Sequence, residues 1–406
     1  MAAYGLLGRK LGHSWSPEIH KQLGSVPYTL IEKEPEEIAS FLETTALDAM
    51  NVTIPYKKDV IPFCTVISDE ARKLGSVNTL VKHPDGWHGF NTDYFGFCHM
   101  LREAGITVDG KKCLVLGSGG ASVTVVAALQ DLGAASVTVI SRSGPDNYEN
   151  LSLHADAQII VNTTPVGMYP NNGQAPVALS DFPCCEGAAD LIYNPAMTKL
   201  LLDAEALGIP YAGGLTMLVA QAKLASELFR STTLPDALIP EITASLRRNM
   251  RNIVLIGMPG CGKTTVSQQL SRELGMPLFD ADAEIEQEAG MPIPEIFAKG
   301  GEESFRRIET QVLERLGKLT GIILSTGGGC VTREENFGFL RQNGFVVWLQ
   351  RDLTLLPTDG RPLSQSGKLA EMYRIRQPLY KKFAHVSVDN SGTVEETVQA
   401  IKEALL

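Results

Sequence analysis

Two glycine-rich turns, each behind a short apolar run, restrict this chain to folds in which a strand feeds a phosphate-sized loop and a helix leaves it. The first is Gly117-Ser118-Gly119-Gly120, after Cys113-Leu114-Val115-Leu116. The second is Gly257-Met258-Pro259-Gly260-Cys261-Gly262-Lys263-Thr264, after Ile253-Val254-Leu255-Ile256. Short apolar runs alternate with helical patterns almost throughout, which predicts an α/β fold of parallel sheets covered by helices. At 406 residues the chain exceeds one ordinary core, so two or three domains are expected. Ser231-Thr232-Thr233-Leu234-Pro235 breaks a helix, and a second amphipathic helix over about Asp236–Asn249 leads into the run at Ile253. The domain join is expected inside or just after that helix.

Composition narrows the class. Apolar residues at 44% and charged residues at 20% describe a globular chain, and a net charge of −10 argues against a general nucleic-acid binder. Seven cysteines lack a metal-ligand spacing, and the adjacent Cys184 and Cys185 make a poor staple. Reduced thiols in a cytoplasmic protein are expected. Met1–Gly12 does not read as a signal peptide, and no run reaches 18 apolar residues, so no membrane-spanning helix is expected.

The two turns suit different ligands. The first, between a strand and a helix over about Ala121–Leu132, has the context of a dinucleotide site. The next strand, Ser136–Ile140, ends in Ser141-Arg142-Ser143. An acidic residue there would hold a ribose hydroxyl, whereas Arg142 pairs with a 2′-phosphate and points to NADP. A Gly-x-Gly-Gly turn alone is weak, and a solvated strand-end Arg is the bland alternative. The second turn is a strong P-loop signal. Backbone N–H groups of Gly260, Cys261, Gly262 and Lys263 would wrap phosphate, Lys263 would reach the β/γ oxygens, and Thr264 would take Mg²⁺ with Thr265 beside it. Phe279-Asp280-Ala281-Asp282 is expected to end the second strand of this half, with Asp280 and Asp282 on one face by strand alternation. Asp280 is then a metal partner and Asp282 a candidate base. No Asp ends the expected strand 321–324, where many P-loop proteins hold their metal.

Six further motifs precede and follow the first turn: Ser14-Trp15-Ser16-Pro17-Glu18-Ile19-His20, Asn51-Val52-Thr53-Ile54-Pro55-Tyr56-Lys57, Asn78-Thr79, Asn91-Thr92-Asp93, Asn162-Thr163-Thr164-Pro165-Val166-Gly167-Met168 and Gly214-Leu215-Thr216-Met217-Leu218-Val219-Ala220-Gln221. Singly, such pairs are usually caps and turns. In this order they resemble shikimate dehydrogenase over about residues 1–245. The resemblance implies Lys57 and Asp93 as the catalytic pair, Ser14 and Ser16 on the substrate carboxylate, and Thr53, Asn78, Asp93 and Gln221 on its hydroxyls. A polyhydroxylated ring acid demands that many partners. The resemblance also implies Asp69, Tyr193 and Gly214 near the nicotinamide end, with Gly117, Ser118, Gly119, Gly120, Ala121, Ser141 and Arg142 holding the rest of NADP. His20 reads as structural and His13 as uninformative.

Beyond the P-loop come Phe305-Arg306-Arg307-Ile308-Glu309, Ser325-Thr326-Gly327-Gly328-Gly329, Gly360-Arg361-Pro362-Leu363 and Arg376-Gln377-Pro378-Leu379-Tyr380. Together they resemble shikimate kinase over about residues 250–406. The resemblance implies that Arg306 and Arg376 clamp the shikimate carboxylate. It puts Gly327, Gly328 and Gly329 at the ring hydroxyls and Arg361 on a closing lid over the transferred phosphoryl group. ATP and Mg²⁺ are the implied co-substrate and metal.

The expected domains are 1–90 with 216–249, 91–215, and 250–406. Departures are Ser141-Arg142-Ser143 in place of the family's usual Asn-Arg-Thr, trimmed loops near 146–153, and a short stretch Asp352–Gly360 without the basic residue the family often stacks on adenine. The expected product is a bifunctional enzyme that reduces 3-dehydroshikimate and then phosphorylates shikimate, with small molecules rather than nucleic acid or membrane as partners. The short lid stretch keeps open a rival, one live activity fused to a regulatory or weakly active kinase-like module, and quinate is a rival first substrate.

Overall fold

Among the described residues, alternating apolar runs and helical segments are realised as three sheets. The computed structural model describes residues 2–12, 14–356 and 366–405, so His13 and Arg361 lie outside the described residues. The chain divides into two compact units, one of residues 1–168, 174–194 and 200–246, the other of 169–173, 195–199 and 247–406.

The opening sheet of the first unit contains β1 (Tyr4–Gly8), β2 (Tyr28–Glu32), β3 (Ala49–Val52), β4 (Cys64–Ile67), β5 (Thr79–His83) and β6 (Gly86–Phe90), in the order β2-β1-β3-β5-β6-β4. It is mixed, which corrects the expectation of parallel sheets throughout: β3–β5 and β5–β6 are antiparallel. Only Pro84 and Asp85 separate β5 from β6, and so short a connection can only reverse the chain. Gly86 closes the turn at φ +127°, a conformation that suits glycine. Leu7, Met50, Val52, Tyr56, Leu80 and Trp87 pack the core of this sheet.

The second sheet of this unit contains β7 (Lys112–Leu116), β8 (Ser136–Ile140), β9 (Ile159–Asn162), β10 (Gly187–Asp190) and β11 (Tyr211–Gly213), all parallel, in the order β11-β10-β9-β7-β8. All of β9 and β10 and all but the first residue of β7 are buried, the continuous burial typical of parallel strands covered on both faces. The helix after the first glycine turn runs Gly120–Asp131 and packs Val125, Ala128 and Leu129 against Val115 and Val161.

The other unit carries β12 (Asn252–Ile256), β13 (Leu278–Asp280), β14 (Ile323–Ser325), β15 (Gly344–Gln350) and β16 (Val386–Asp389), parallel and ordered β13-β14-β12-β15-β16. Central β12 is wholly buried. The helix expected over about 236–249 runs Leu238–Met250. All seven cysteines are free thiols, and no described helix is long and apolar enough to cross a membrane.

Candidate active sites

A cleft of about 600 Å³ opens in the first unit, lined by strands of the first sheet and by loops and helix starts that follow strands of the second. Lys57 and Asp93 meet there, although 36 residues separate them in sequence: Lys57 Nζ donates to Asp93 Oδ2 at 2.6 Å. Both are partly shielded, with side chains 27% and 17% exposed. The Lys57 carbonyl accepts from Val77 N at 2.8 Å, which ties its turn to the sheet. Asp93 opens the helix Asp93–Glu103, and its N–H donates to Asn91 Oδ1 at 3.0 Å. A cation held against a carboxylate at the edge of a cleft can give a proton to an oxygen that becomes negative there.

Apart from Lys10, neutral groups line the rest of this cleft. Asn78 and Gln221 reach the cleft from different elements, and the buried Thr92 fixes both. Its hydroxyl accepts from Asn78 Nδ2 at 3.0 Å and donates to Gln221 Oε1 at 3.2 Å, while its N–H donates to Asn78 Oδ1 at 2.8 Å. Ser14 donates to Ser16 at 3.1 Å, and both line the cleft with Thr53, Ala121, Tyr193 and Gly214. Gly214 has no room for a side chain, because a Cβ would stand 2.0 Å from the Leu191 carbonyl oxygen. Asn51, not singled out from the sequence as a site residue, also lines the cleft. Tyr28 donates to it at 2.8 Å, and it donates to Thr79 at 3.2 Å. Its signal was nearness to Thr53 at the end of β3.

The structure does not bring Asp69 into this cleft. Asp69 is exposed in the first turn of the helix Asp69–Leu74, behind the Ser68 cap, where the helix dipole favours an acidic side chain. His20 is structural as expected. It is fully buried and stacked on Tyr28 and Phe229, with both ring nitrogens unpartnered. Burial, weakly opposed by Asn51, pushes its pKa down to about 3.

Gly117–Gly120 and Ser141-Arg142 lie at the ends of neighbouring parallel strands, with Leu116 opposite Ile140 and Gly117 N donating to Ile140 O at 2.8 Å. Gly117 turns at φ +102°, and a Cβ there would press on Thr163 and Thr164. Around Gly119 and Gly120 a Cβ would meet nothing within 4 Å, so backbone N–H groups at this helix start are open to an incoming phosphate. Arg142 is exposed and makes no ion pair among the described residues. These residues fit a phosphorylated dinucleotide.

The other unit carries a cleft of about 640 Å³ beyond the C-terminal ends of β12, β13, β14 and β15. Gly260, Gly262, Lys263, Thr264 and Thr265 form one wall, while the buried Cys261 instead takes a hydrogen bond on its carbonyl from Asn390. Lys263 Nζ donates to the carbonyls of Gly257 and Met258 at 2.9 and 3.0 Å, folded over its own loop. Asp280 and Asp282 both line the cleft, but not as alternate strand residues. Strand β13 ends at Asp280, whose side chain caps the helix Ala281–Ala289 by accepting from Asp282 N and Ala283 N at 3.0 and 3.5 Å. Capping, not strand periodicity, sets their spacing. Thr264 Oγ1 lies 3.5 Å from Asp280 Oδ2, a hydroxyl–carboxylate pair suited to Mg²⁺, whose other ligands would be phosphate oxygens and water.

Asp282 is exposed, but to the cleft itself. Protein crowds its other sides. That burial, then the charges of Asp280 and Glu286, raises its carboxyl above the usual range against the pull of Lys263 and Arg306. Water in the open cleft tempers the effect, and a bound ring would strengthen it. Arg306 is buried and donates to Glu309 at 2.7 Å and to Glu302 at 3.1 Å. Arg376 donates to the Gly328 carbonyl at 3.0 Å, and Tyr380 donates to the same oxygen. Gly327, Gly328 and Gly329 line the cleft, and a Cβ on Gly327 would stand 2.7 Å from Glu309 Oε1 and 3.1 Å from Asp282 Oδ1. Glu309 is fully buried, and burial pushes its carboxyl up while Arg306 pulls it back. The sequence showed Glu309 only as part of a motif, without a role; its three-residue offset from Arg306 on one helix was the available signal.

Comparison with known proteins finds matches to both halves of the chain. A family model described as shikimate dehydrogenase substrate binding domain matches residues 6–80, and one described as shikimate kinase matches residues 259–406. The shikimate dehydrogenase (NADP(+)) of Clostridium beijerinckii is 36% identical over 258 residues, covering 59% of this chain and 95% of the relative. A solved chorismate mutase/shikimate 5-dehydrogenase fusion protein from Clostridium acetobutylicum is 37% identical, with a TM-score of 0.57 over 61% of this chain and 97% of that one. The shikimate 5-dehydrogenase of Thermus thermophilus, solved in complex with NADP(H) and shikimate, is 29% identical, with a TM-score of 0.53 over 60% and 99% of the two chains.

Proposed function

The chain belongs to the shikimate dehydrogenase family and continues into a shikimate kinase domain, and we propose how its residues divide the work of this bifunctional shikimate-pathway enzyme. The first reaction is reduction of 3-dehydroshikimate to shikimate with NADPH, and the second is phosphorylation of shikimate to shikimate 3-phosphate with MgATP.

In the first cleft NADPH supplies the hydride when bound. Lys57 gives its Nζ proton to the ring oxygen as that oxygen becomes an alkoxide, and its charge stabilises the oxygen before transfer. Asp93 holds Lys57 in place and accepts from the resulting hydroxyl. Ser14 and Ser16 take the ring carboxylate, while Thr53, Asn78 and Gln221 take the remaining hydroxyls. Gly117–Gly120, Ala121, Ser141 and Arg142 hold the dinucleotide, with Tyr193 and Gly214 at its nicotinamide end. The Lys57–Asp93 contact inside a cleft rich in amides and hydroxyls carries this reading.

In the second cleft Arg306 and Arg376 hold the carboxylate of shikimate, and Gly327–Gly329 lie along the ring. Asp282 accepts the proton of the attacking hydroxyl, a task its raised carboxyl suits. When bound, MgATP supplies the phosphoryl group; Gly260–Thr265 hold its phosphates, and Thr264 and Asp280 hold the metal. Arg361 is assigned the lid role by resemblance alone.

The domain reading is 1–90 with 216–249 for shikimate, 91–215 for NADP and 250–406 for the kinase. A cytoplasmic setting with small molecules as the partners is supported by seven free thiols and a net charge of −10. The test is purified protein given 3-dehydroshikimate and NADPH, then MgATP. NADPH loss followed by shikimate-dependent ADP release supports the reading. Absence of shikimate 3-phosphate would leave one live activity and a regulatory module.

A further inference from the structure

The kinase cleft holds a cation that the roles above leave unused. Arg351 directly follows β15 and lines the cleft together with Gly262, Lys263 and Thr264. One guanidinium nitrogen, Nη1, lies 3.9 Å from the point a Cβ on Gly262 would occupy. Gly262 is the residue just before Lys263, so the guanidinium borders the loop whose N–H groups face phosphate.

The other cations of this lining already have protein partners. Lys263 is held by two carbonyls, Arg306 by Glu309 and Glu302, and Arg376 by the Gly328 carbonyl. Arg351 has none among the described residues: its Nε is buried without a partner, and no described carboxylate pairs with it. A structural arginine would be expected to pin a carbonyl or a carboxylate. A buried guanidinium N–H without one costs free energy until an anion takes it. The stretch Asp352–Gly360 that follows contains no Lys or Arg, so it supplies no alternative cation.

We infer that Arg351 is a nucleotide-binding residue whose guanidinium takes a phosphate oxygen of the triphosphate on the loop Gly257–Thr264. This rests on the kinase reading and adds a specific residue to it. Arg351 gives planar, charge-assisted donors to an oxygen beside Gly262, while Lys263 covers the end where transfer occurs.

The experiment compares wild type, Arg351→Gln and Arg351→Lys in steady-state kinase assays, with MgADP binding followed by calorimetry. Arg351→Gln is expected to raise KM for MgATP and Kd for MgADP roughly tenfold or more, to leave KM for shikimate within about twofold, and to be partly rescued by Arg351→Lys. Unchanged MgATP and MgADP parameters would overturn the inference. So would an equal rise in both KM values or general loss of the kinase, which would mark Arg351 as structural. Dehydrogenase turnover on the same preparation checks the material. If wild type binds MgADP but shows no shikimate-dependent turnover, the kinase reading fails while calorimetry still decides the role of Arg351.

Discussion

The two clefts have similar volumes, about 600 and 640 Å³, and differ in how many charged groups line them. In the first, Lys57 is held against Asp93, Lys10 is the other charged residue of the lining, and the rest are amides, hydroxyls and apolar groups. In the second, Lys263, Arg306, Arg351 and Arg376 converge, and the carboxylates Asp280, Asp282 and Glu309 are spread among them. The same ring acid is handled in both. Carbonyl reduction develops one local negative charge, which a single proton donor relieves. Phosphoryl transfer moves charge across several oxygens, which calls for dispersed cations. Chemistry, not substrate, sets how many charged groups line each cleft.

Substitutions break this comparison most sharply. Lys57→Ala should lower dehydrogenase turnover by roughly 10²–10⁴-fold and leave the kinase within about twofold. Lys263→Ala should do the reverse, lowering kinase turnover by at least roughly 10²-fold. Next in size, Arg376→Ala should raise the kinase KM for shikimate by roughly tenfold or more, while Asn78→Ala raises the dehydrogenase KM by about tenfold, each followed by initial rates. Salt sharpens the contrast. Between about 0.05 and 0.5 M NaCl the kinase KM values should rise several-fold and the dehydrogenase KM for shikimate by less, because the cations of the kinase cleft are screened.

Two pH effects are smaller. Asp282 must be ionised to act as base, and its carboxyl is raised, so kinase kcat/KM should fall on the acid side at a pH above that of an ordinary carboxylate. Glu286→Gln removes one raising charge and should move that limb to lower pH by less than about one unit. His20 affects stability in the other half. Its folded pKa of about 3 is below its ordinary value of 6.5, so the unfolded chain binds the extra proton and stability is lost as pH falls below about 6.5. His20→Phe keeps the stack and should flatten that loss by roughly 2–4 °C in Tm between pH 7 and 5, read by thermal denaturation of the first unit.

Much of this was legible because phosphate loops need a fixed local order. Both glycine turns appear where apolar runs placed them, and motifs far apart in sequence, such as those of Lys57 and Asp93, converge. What escaped was set by short-range competition or by packing. Strand periodicity was extended through Asp282, but an Asp accepts backbone N–H groups readily, and Asp280 starts a helix instead. The same competition made Asp69 a helix-start acid behind Ser68. The β5–β6 hairpin turns at Pro84-Asp85-Gly86, a local signal that the wider alternation of strands and helices concealed. Arg351 was out of reach, and Glu309 showed only its offset from Arg306, because a charged residue on a helix or at a strand end is solvated by default; only packing reveals how far each is shielded, and against what.

The central claim, two separate active sites on one chain, is tested most directly by complementation. Lys57→Ala and Lys263→Ala chains are purified, and shikimate 3-phosphate formed from 3-dehydroshikimate, NADPH and MgATP is measured for each chain alone and for the mixture. We predict that Lys263→Ala alone stops at shikimate, that Lys57→Ala alone leaves 3-dehydroshikimate untouched yet phosphorylates added shikimate, and that the mixture completes both steps. If either substitution silenced both reactions in a folded chain, and mixing restored nothing, two independent sites would be contradicted.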